Sequence, residues 1–186
     1  MKKLLLLLPL IIAGICFGAG KELPPPPPGF SWQPLTSIQG FLLKPDGWFF
    51  KHITKGETDN YFITKEDIDK NGVFTTGLSF YSIRHVQKKT GLAPSSYAAS
   101  LADAAAAKFH LAERSSSDQG KFKAIRIHYV DAPPDKSSIT VSQLFIANDK
   151  TGTLFIAIFE SPTTEWGEAW KKGQVILKQM MIDDEI

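Results

Sequence analysis

Residues 154–159 read Leu-Phe-Ile-Ala-Ile-Phe, an apolar run without a polar residue in it. A strand with one solvated face alternates apolar and polar residues, whereas a strand covered on both faces is apolar throughout. The run therefore predicts a central strand that is covered on both sides. A helix is predicted directly after it, over 162–182, with Ser161 as its cap and Pro162 at its first position.

One stripe of the predicted C-terminal helix is apolar. It contains Trp166, Trp170 and Gly173, and lysines lie on the opposite side. Aromatic side chains at helical spacing are typical of core packing, and a glycine in the stripe indicates a close contact between helix and sheet. We therefore expect this helix to pack on the sheet, with both tryptophans in the core.

Alternating and apolar runs on the N-terminal side of the central strand predict seven further strands, with turn residues between them. The alanine-rich run 94–113 predicts a helix whose small apolar face packs closely on a sheet. Residues 114–121 are polar and rich in serine, which predicts a loop. The predicted strands are 30–33, 41–43, 48–53, 59–64, 73–85, 122–130 and 139–147.

Two glycines predict local features of the backbone. Asn71-Gly72 is a strong hairpin signal, and it predicts a tight turn between the strands 59–64 and 73–85. Gly77 lies inside the second of these strands, where a glycine indicates either a bulge or a close approach of another backbone. The hairpin implies that the two strands pair with each other.

The N-terminus has the pattern of a secretory signal over residues 1–20. Lys2 and Lys3 supply a positive start, an apolar run over 4–19 follows, and the small residues 18–20 predict cleavage there. The apolar run is shorter than the about 20 residues that span a bilayer. We therefore expect an exported protein, periplasmic or secreted, and a retained N-terminal anchor is one alternative.

A second alternative is a lipoprotein anchored at Cys16. Residues 13–16 read Ala-Gly-Ile-Cys, which resembles a bacterial lipobox except at Ile15, where that pattern has a small residue. Membrane association is thus expected only through the N-terminus, if it is retained or lipidated. Residues 21–29 contain five consecutive prolines and predict a stiff linker, the alternative being a ligand for an aromatic groove.

Charge and cysteine content exclude several kinds of partner and site. The chain has 21 Lys and Arg and 19 Asp and Glu; Lys2 and Lys3 lie in the predicted signal, so 19 basic and 19 acidic residues remain after cleavage. A neutral domain has no overall field that attracts nucleic acid, and we expect no nucleic-acid partner. Cys16 is the only cysteine, so the cleaved domain has no disulfide, thiolate metal site or cysteine nucleophile.

Residues 67–72 read Asp-Ile-Asp-Lys-Asn-Gly, which matches the first half of a calcium-binding loop. Asp67, Asp69 and Asn71 would supply oxygen ligands at alternate positions. The twelfth position, where such a loop has a bidentate acid, is Leu78. Calcium is thus the one candidate cofactor, and a plain Asn-Gly hairpin is the alternative.

The chain contains no standard catalytic motif. Its four histidines have no HExxH spacing, no serine lies in a GxSxG turn, and no glycine-rich phosphate loop occurs. We expect His52 and His85 to be solvated at strand ends. His128 could pair with the nearby Asp131, as a catalytic unit or as an ordinary contact. No catalytic residue is assigned.

Four segments resemble the PsbP-like family of extracytoplasmic domains. They are Pro45-Asp46-Gly47-Trp48, Phe74-Thr75-Thr76-Gly77-Leu78, Gly152-Thr153-Leu154-Phe155 and, over 160–166, Glu-Ser-Pro-Thr-Thr-Glu-Trp. The resemblance extends over residues 30–183. It implies an α+β fold for residues 30–186, namely an α/β/α sandwich with a central, mostly antiparallel sheet.

The resemblance also implies a role. The best-known member of the family is an extrinsic subunit of photosystem II, and its bacterial relatives are mostly exported proteins of unassigned function. Because the leader is of a simple bacterial type, photosynthesis is not carried over. The expectation is a non-enzymatic accessory or ligand-binding domain of the bacterial envelope, whose partner is an envelope protein complex or a small ligand.

Two other functions stay open. One is a hydrolase whose residues converge only in three dimensions, which predicts a deep cleft with a histidine or acid of shifted pKa. The other is a cation-binding protein that uses Asp67, Asp69 and Asn71. The accessory function instead predicts shallow surfaces and an exposed apolar patch.

Overall fold

The computed structural model describes residues 23–56 and 58–186. The predicted signal and Cys16 lie outside these ranges. Within them, no helix has both the length and the apolar character that crossing a membrane requires.

In chain order the elements are β1 (Phe30–Leu35), β2 (Gly40–Pro45), β3 (Phe49–Lys55), β4 (Thr58–Thr64), α1 (Ile68–Asn71), β5 (Gly77–Ile83), α2 (Val86–Thr90), α3 (Pro94–Lys108), β6 (Leu111–Gln119), β7 (Phe122–Asp131), β8 (Ile139–Asn148), β9 (Thr153–Pro162) and α4 (Trp166–Lys178).

Seven strands form one sheet in the order β3-β4-β5-β9-β8-β7-β6, and every neighbouring pair is antiparallel. β1 and β2 form a separate antiparallel hairpin. The apolar strand β9 lies in the middle of the large sheet, and its side chains from Leu154 to Ala157 are all buried. The prediction of a central strand covered on both faces is confirmed.

The first face of the sheet is covered by α4 and by the β1–β2 hairpin. Phe155 and Phe159 of β9 point to this face and belong to one buried cluster with Ile176 of α4. Trp166 and Trp170 are partly buried against the same cluster. The predicted packing of the C-terminal helix on the sheet is confirmed.

The second face is covered by α2 and α3. Ile156 of β9 and Phe145 of β8 pack there with Val86, Ala98 and Ala102 of the two helices. The small residues of α3 allow it to approach the sheet closely, as its alanine-rich sequence predicts. Helices on both faces of an antiparallel sheet make an α/β/α sandwich of the α+β class, which confirms the predicted fold class.

The predicted tight turn at residues 71–72 is wrong, although the flanking strands β4 and β5 do pair antiparallel as expected. The segment forms the short helix α1, and β5 begins only at Gly77. The Asp67 side chain caps α1 by accepting a hydrogen bond from the Asp69 N–H, and Gly72 ends it with a left-handed φ of 74°. Capping at both ends therefore favours a helical turn over a two-residue hairpin.

Residues 109–119 differ most from the prediction. α3 ends at Lys108 instead of residue 113, and the Phe109 ring stacks on Tyr129 with 4.4 Å between the centroids. The polar segment predicted as a loop is the edge strand β6, which pairs with β7. Most side chains of β6 are exposed, so this strand requires no apolar residues and its backbone makes the pairing.

The last helix begins later and ends earlier than predicted. Ser161 and Pro162 belong to β9, so neither starts the helix, and α4 spans Trp166–Lys178. Proline is tolerated at the end of a strand. Beyond the helix, Met181 exchanges two backbone hydrogen bonds with Phe41 of β2, at 2.9 and 3.0 Å. The extended C-terminal residues thus tie α4 to the hairpin.

β5 is shorter than the predicted strand 73–85, because α2 follows it directly and His85 is the exposed N-cap of that helix. Gly77 shows the predicted close approach of another backbone. A β-carbon on it would lie 2.6 Å from the Ile63 carbonyl oxygen. The β4–β5 register continues without a bulge, so the close approach is the explanation for this glycine.

Candidate functional site

A cleft of about 490 Å³ opens on the first face, between the start of α4 and the adjacent ends of β4 and β5. Clefts of this volume hold small molecules in many proteins. Its walls come from segments that are far apart in the sequence, so only the fold assembles them. The lining residues are Trp48, Lys65, Thr76, Thr164, Glu165, Glu168, Ala169 and Lys172.

The floor of the cleft is buried. Trp48 is 8% exposed and stacks on Phe159 with 6.5 Å between the ring centroids, and Ala169 is also buried. Thr76 is 1% exposed and directly precedes β5. Because side chains alternate along an extended chain, Thr76 points to the same face as Leu78, which is the face covered by α4.

The Thr76 hydroxyl is buried without a hydrogen-bond partner among the described residues. Both backbone groups of Thr76 are paired: its N–H donates to a Glu66 carboxylate oxygen at 3.2 Å, and its carbonyl oxygen accepts from the Lys65 N–H at 2.9 Å. A buried hydroxyl without a partner costs roughly 1–3 kcal/mol. Because this hydroxyl is not itself exposed in the cleft, a ligand can bond it only if the Thr76 side chain rotates toward the cleft that it lines.

The rim of the cleft is charged, and both of its glutamates have lysine partners. Lys65 Nζ lies 2.9 Å from Glu165 Oε2, and this hydrogen bond raises the pKa of Lys65. Glu168 Oε1 lies 2.6 Å from Lys171 Nζ. These four charges therefore neutralise one another in two pairs.

Lys172 is different from the paired lysines of the rim. No carboxylate among the described residues lies within salt-bridge distance of it, and its ammonium group is 5.3 Å from the centre of the Trp48 ring. The start of α4 adds to this positive potential, since helix N-termini carry a partial positive charge and the N-cap residue Glu165 makes no side-chain cap bond. The lining carries two lysines and two glutamates, and the positive potential is local, beside Lys172 and the start of α4.

The lining residues are suited to binding. No histidine or cysteine is among them. The ammonium group of Lys172 and the hydroxyl of Thr76 are hydrogen-bond donors, and Trp48 offers apolar contact. This arrangement can hold and orient a small molecule.

The predicted calcium ligands lie in or next to α1, where their carboxylates already have partners. Asp67 Oδ1 accepts from the Asp69 N–H at 3.0 Å, and Asp69 Oδ1 lies 2.5 Å from Lys51 Nζ. Asn71 is the last residue of α1. Over residues 23–56 and 58–186, no group of three or more His, Cys, Asp or Glu side chains is placed to hold a metal ion.

The calcium site therefore stays a prediction. A calcium titration followed by NMR tests it through the amide signals of Asp67, Asp69 and Asn71. Saturable shifts confined to these residues support the site, and unchanged spectra at millimolar calcium end the proposal.

His52 belongs to a polar network that sequence reasoning missed. Its Nε2 lies 3.0 Å from Asp59 Oδ1, and its ring stacks on Tyr61 with 4.2 Å between centroids. Burial raises the pKa of Asp59, but hydrogen bonds with His52 and from Thr54 outweigh it, and the net pKa is lowered. His52 is exposed, as expected, although it lies within β3 and not at its end, and the β3–β4 register places it directly beside Tyr61. The only sequence signal was the spacing of His52 and Thr54, which share one face of a strand.

His128 lies on the first face, between Ser142 of β8 and Glu113 of β6 in the register of the sheet. These residue types could form a nucleophile, base and acid, but the Ser142 hydroxyl is buried without a partner in the described part of the chain. The His128 ring packs edge-on against Trp166, with 5.1 Å between centroids. Burial lowers the pKa of His128, which favours its neutral form. Asp131, considered as a partner of His128, points to the opposite face because the two are three positions apart along the strand, an odd number.

The outer part of the second face keeps apolar side chains in solvent. α3 packs on β7, β8 and β9, whereas Phe49 and Ile53 of β3 are 42% and 41% exposed. Next to them, Phe62 of β4 makes edge contacts with Phe74 and Tyr81. An exposed apolar patch is what the accessory function predicts.

No family model matches the chain, and no curated protein matches it. Solved structures do match. The solution structure of cyanobacterial PsbP (CyanoP) from Synechocystis sp. PCC 6803 is 11% identical, with a TM-score of 0.53 over 91% of this chain and 98% of that chain. The crystal structure of LpqN, involved in cell envelope biogenesis of Mycobacterium tuberculosis, is 14% identical, with a TM-score of 0.50 over 83% of this chain and 90% of that chain. The chain has the PsbP-like fold.

In this PsbP-like fold, three of the segments that carried the resemblance border the cleft. They are 45–48, 74–78 and 160–166, and two of their residues, Trp48 and Thr76, form part of the floor. At identities of 11% and 14%, the likeness to CyanoP and LpqN shows a common fold. The ligand has to be argued from the cleft itself.

Proposed function

We propose that this protein is an exported ligand-binding domain of the bacterial envelope, and that a small molecule binds in the cleft at the start of α4. The observation that carries the proposal is the Thr76 hydroxyl, which is buried at the floor of that cleft without a partner among the described residues. Folding removes water from this hydroxyl without giving it a new hydrogen bond. A ligand that bonds the hydroxyl supplies the missing hydrogen bond. Because the ligand binds only the folded state, it stabilises the protein.

A fragment screen by amide-correlation NMR tests ligand binding. Binding compounds should shift the amide signals of Thr76 and Ala169 and the indole N–H of Trp48, and should raise the melting temperature. Thr76→Val keeps the shape of the floor and removes the hydroxyl, so compounds that bond it should bind this variant more weakly. If no compound of a chemically diverse set shifts these signals at millimolar concentration, the cleft is not a ligand site.

Export rests on the lysine-led apolar leader over residues 1–20. The description of LpqN, which shares the fold, as involved in cell envelope biogenesis is consistent with an envelope location. Cell fractionation and mass spectrometry of the N-terminus test the proposal. A mature chain that begins at about residue 19–21 supports a free exported form. An acylated Cys16 at the N-terminus identifies a lipoprotein, and an uncleaved protein in the cytosol refutes export.

A second function, docking onto an envelope protein complex, is favoured by the exposed apolar side chains of Phe49 and Ile53. Both lie on β3, an edge strand that is open to further contacts. If docking is the function, Ile53→Lys should move the protein from a large species to the free form in native electrophoresis of solubilised envelopes. Lys178→Glu, on the surface of α4, is the control and should migrate like the wild type. A wild-type protein that migrates only as the free form removes this candidate.

A further inference from the structure

We infer that the ligand of the cleft is a small monocarboxylate with a compact apolar body. This inference rests on the proposed ligand-binding function and names the chemistry of the ligand. It follows from three features of the cleft: the unpaired charge of Lys172, the donors that converge on the floor, and the glutamates of the rim.

The unpaired charge of Lys172 determines the sign of the charge on the ligand. Lys65 is paired with Glu165 at 2.9 Å, and Lys171 with Glu168 at 2.6 Å, so these charges cancel. Lys172 has no carboxylate partner in the described part of the chain and holds its ammonium over Trp48. An anion is therefore the ligand that gives the Lys172 ammonium a counter-charge.

The donors are arranged to converge on one group. Lys172 follows Glu165 by seven residues and Ala169 by three, so all three lie on the face of α4 that lines the cleft. Thr76 lies across from this face, with its hydroxyl unpartnered and 1% of the residue exposed. The positive end of α4 borders the same space. An ammonium group, a hydroxyl and a helix N-terminus together favour a carboxylate or phosphate oxygen.

The rim decides between these two anions. Because Glu165 and Glu168 already neutralise Lys65 and Lys171, a second negative charge on the ligand would meet no further counter-charge among the described residues of the cleft. A monocarboxylate carries one charge, which Lys172 balances. Trp48 and Ala169, which also line the cleft, then provide apolar contact next to the carboxylate.

Three compounds of the same shape test the sign of the charge: sodium benzoate, benzamide and benzylammonium chloride. Each is titrated into the purified protein, and the amide signals of Thr76, Ala169 and Lys172 are followed by NMR. Benzoate should bind at least about tenfold more tightly than benzamide, because hydrogen bonds to charged groups are stronger than neutral ones. Benzylammonium should bind more weakly than either.

Two variants locate the carboxylate in the cleft. Lys172→Met should weaken benzoate binding about tenfold, and Thr76→Val about fivefold, while neither changes benzamide binding by as much. Lys178→Met, an exposed lysine of the last turn of α4, is the matched control and should bind benzoate like the wild type within about twofold. High salt should weaken benzoate binding and leave benzamide unaffected.

The outcomes separate this inference from the function on which it rests. If benzamide or benzylammonium binds as tightly as benzoate, or if Lys172→Met leaves benzoate binding unchanged, the inference of a carboxylate is overturned while ligand binding in the cleft stands. If none of the three compounds binds but other fragments shift the cleft signals, the carboxylate is again overturned and ligand binding stands. If no fragment of any class shifts those signals, both fail.

Discussion

Gly173 of α4 lies so close to Phe159 of β9 that a β-carbon on the glycine would be 2.9 Å from three atoms of the aromatic ring. Real β-carbons do not approach other atoms within 3.0 Å. Phe159 is fully buried, and its ring also contacts those of Trp48, Trp166 and Trp170, so it has no room to move. The glycine therefore sets the distance between the helix and the sheet beside the cleft.

Gly173→Ala is expected to destabilise the protein. Overpacking a core costs about 1–3 kcal/mol, more than the roughly 0.5–1 kcal/mol that alanine gains over glycine inside a helix. Urea unfolding followed by tryptophan fluorescence measures the change. Gly167→Ala is the control in the same helix, because a β-carbon there meets nothing within 4 Å, and it should be neutral or stabilising by up to about 1 kcal/mol. A stabilised Gly173→Ala variant contradicts the close contact.

Thr76→Val is expected to leave the free energy of unfolding unchanged or to raise it by about 1 kcal/mol, since it removes a buried hydroxyl that has no partner in the described ranges. Thr140 is the matched buried threonine, and its hydroxyl donates to Thr163 Oγ1 at 3.0 Å. Thr140→Val should therefore destabilise by about 1 kcal/mol. Chemical denaturation measures the change in the free energy of unfolding for both variants. Destabilisation of Thr76→Val equal to that of Thr140→Val shows that its hydroxyl is bonded in the free protein.

Glu160→Gln is expected to stabilise the protein at neutral pH. Burial raises the pKa of Glu160 above the about 4.3 of an unfolded glutamate. The folded state thus binds a proton more tightly than the unfolded one, and stability is lost as the pH rises through the folded pKa. The variant avoids that loss, so its melting temperature at pH 7 should exceed that of the wild type by roughly 2–4 °C, equivalent to about 1 kcal/mol.

The same measurement at low pH provides the check for Glu160. Below a pH of about 4, where the carboxyl is protonated in both states, the advantage of Glu160→Gln should disappear. Glu168→Gln is the control, because its side chain is 85% exposed, and it should change the melting temperature little at either pH. A pH-independent effect of Glu160→Gln rules out this account.

Asp59→Asn is expected to destabilise the protein at pH 7. The Asp59 carboxylate is buried and accepts from Thr54 at 2.8 Å, besides its contact with His52. Removing its charge weakens these bonds, at a cost of about 1–3 kcal/mol. Because the folded pKa of Asp59 is lowered, its contribution is present above the unfolded pKa of about 3.9 and is lost as the pH falls through the folded pKa.

Urea unfolding of Asp59→Asn and wild type at pH 7 and at about pH 3 tests this prediction. The difference between them should be smaller at the lower pH. Asp135→Asn, in an exposed turn, is the control and should match the wild type within about 0.5 kcal/mol. A difference that grows toward low pH would mean that the charge of Asp59 is not what stabilises the network.

Part of the fold was predictable because it depends on patterns of apolar and polar residues within single segments of the sequence. The run 154–159 is apolar at every position and became the central strand β9, and the alanine-rich helix begins at the predicted Pro94. The polar edge strand β6 was not predictable, since it is held by backbone pairing with β7 and its side chains face solvent. Its residues carry no alternation for sequence reasoning to detect.

The sequence by itself determined the layers of this protein: apolar periodicity assigns a central strand and two helices that must bury one face each. Only the tertiary structure decided the cleft, because Trp48, Thr76 and Lys172 come from three separate segments that the antiparallel sheet and α4 bring together. Local patterns depend on the burial of neighbouring residues along the chain. A binding site depends on contacts between distant residues, and those exist only once the strands have paired.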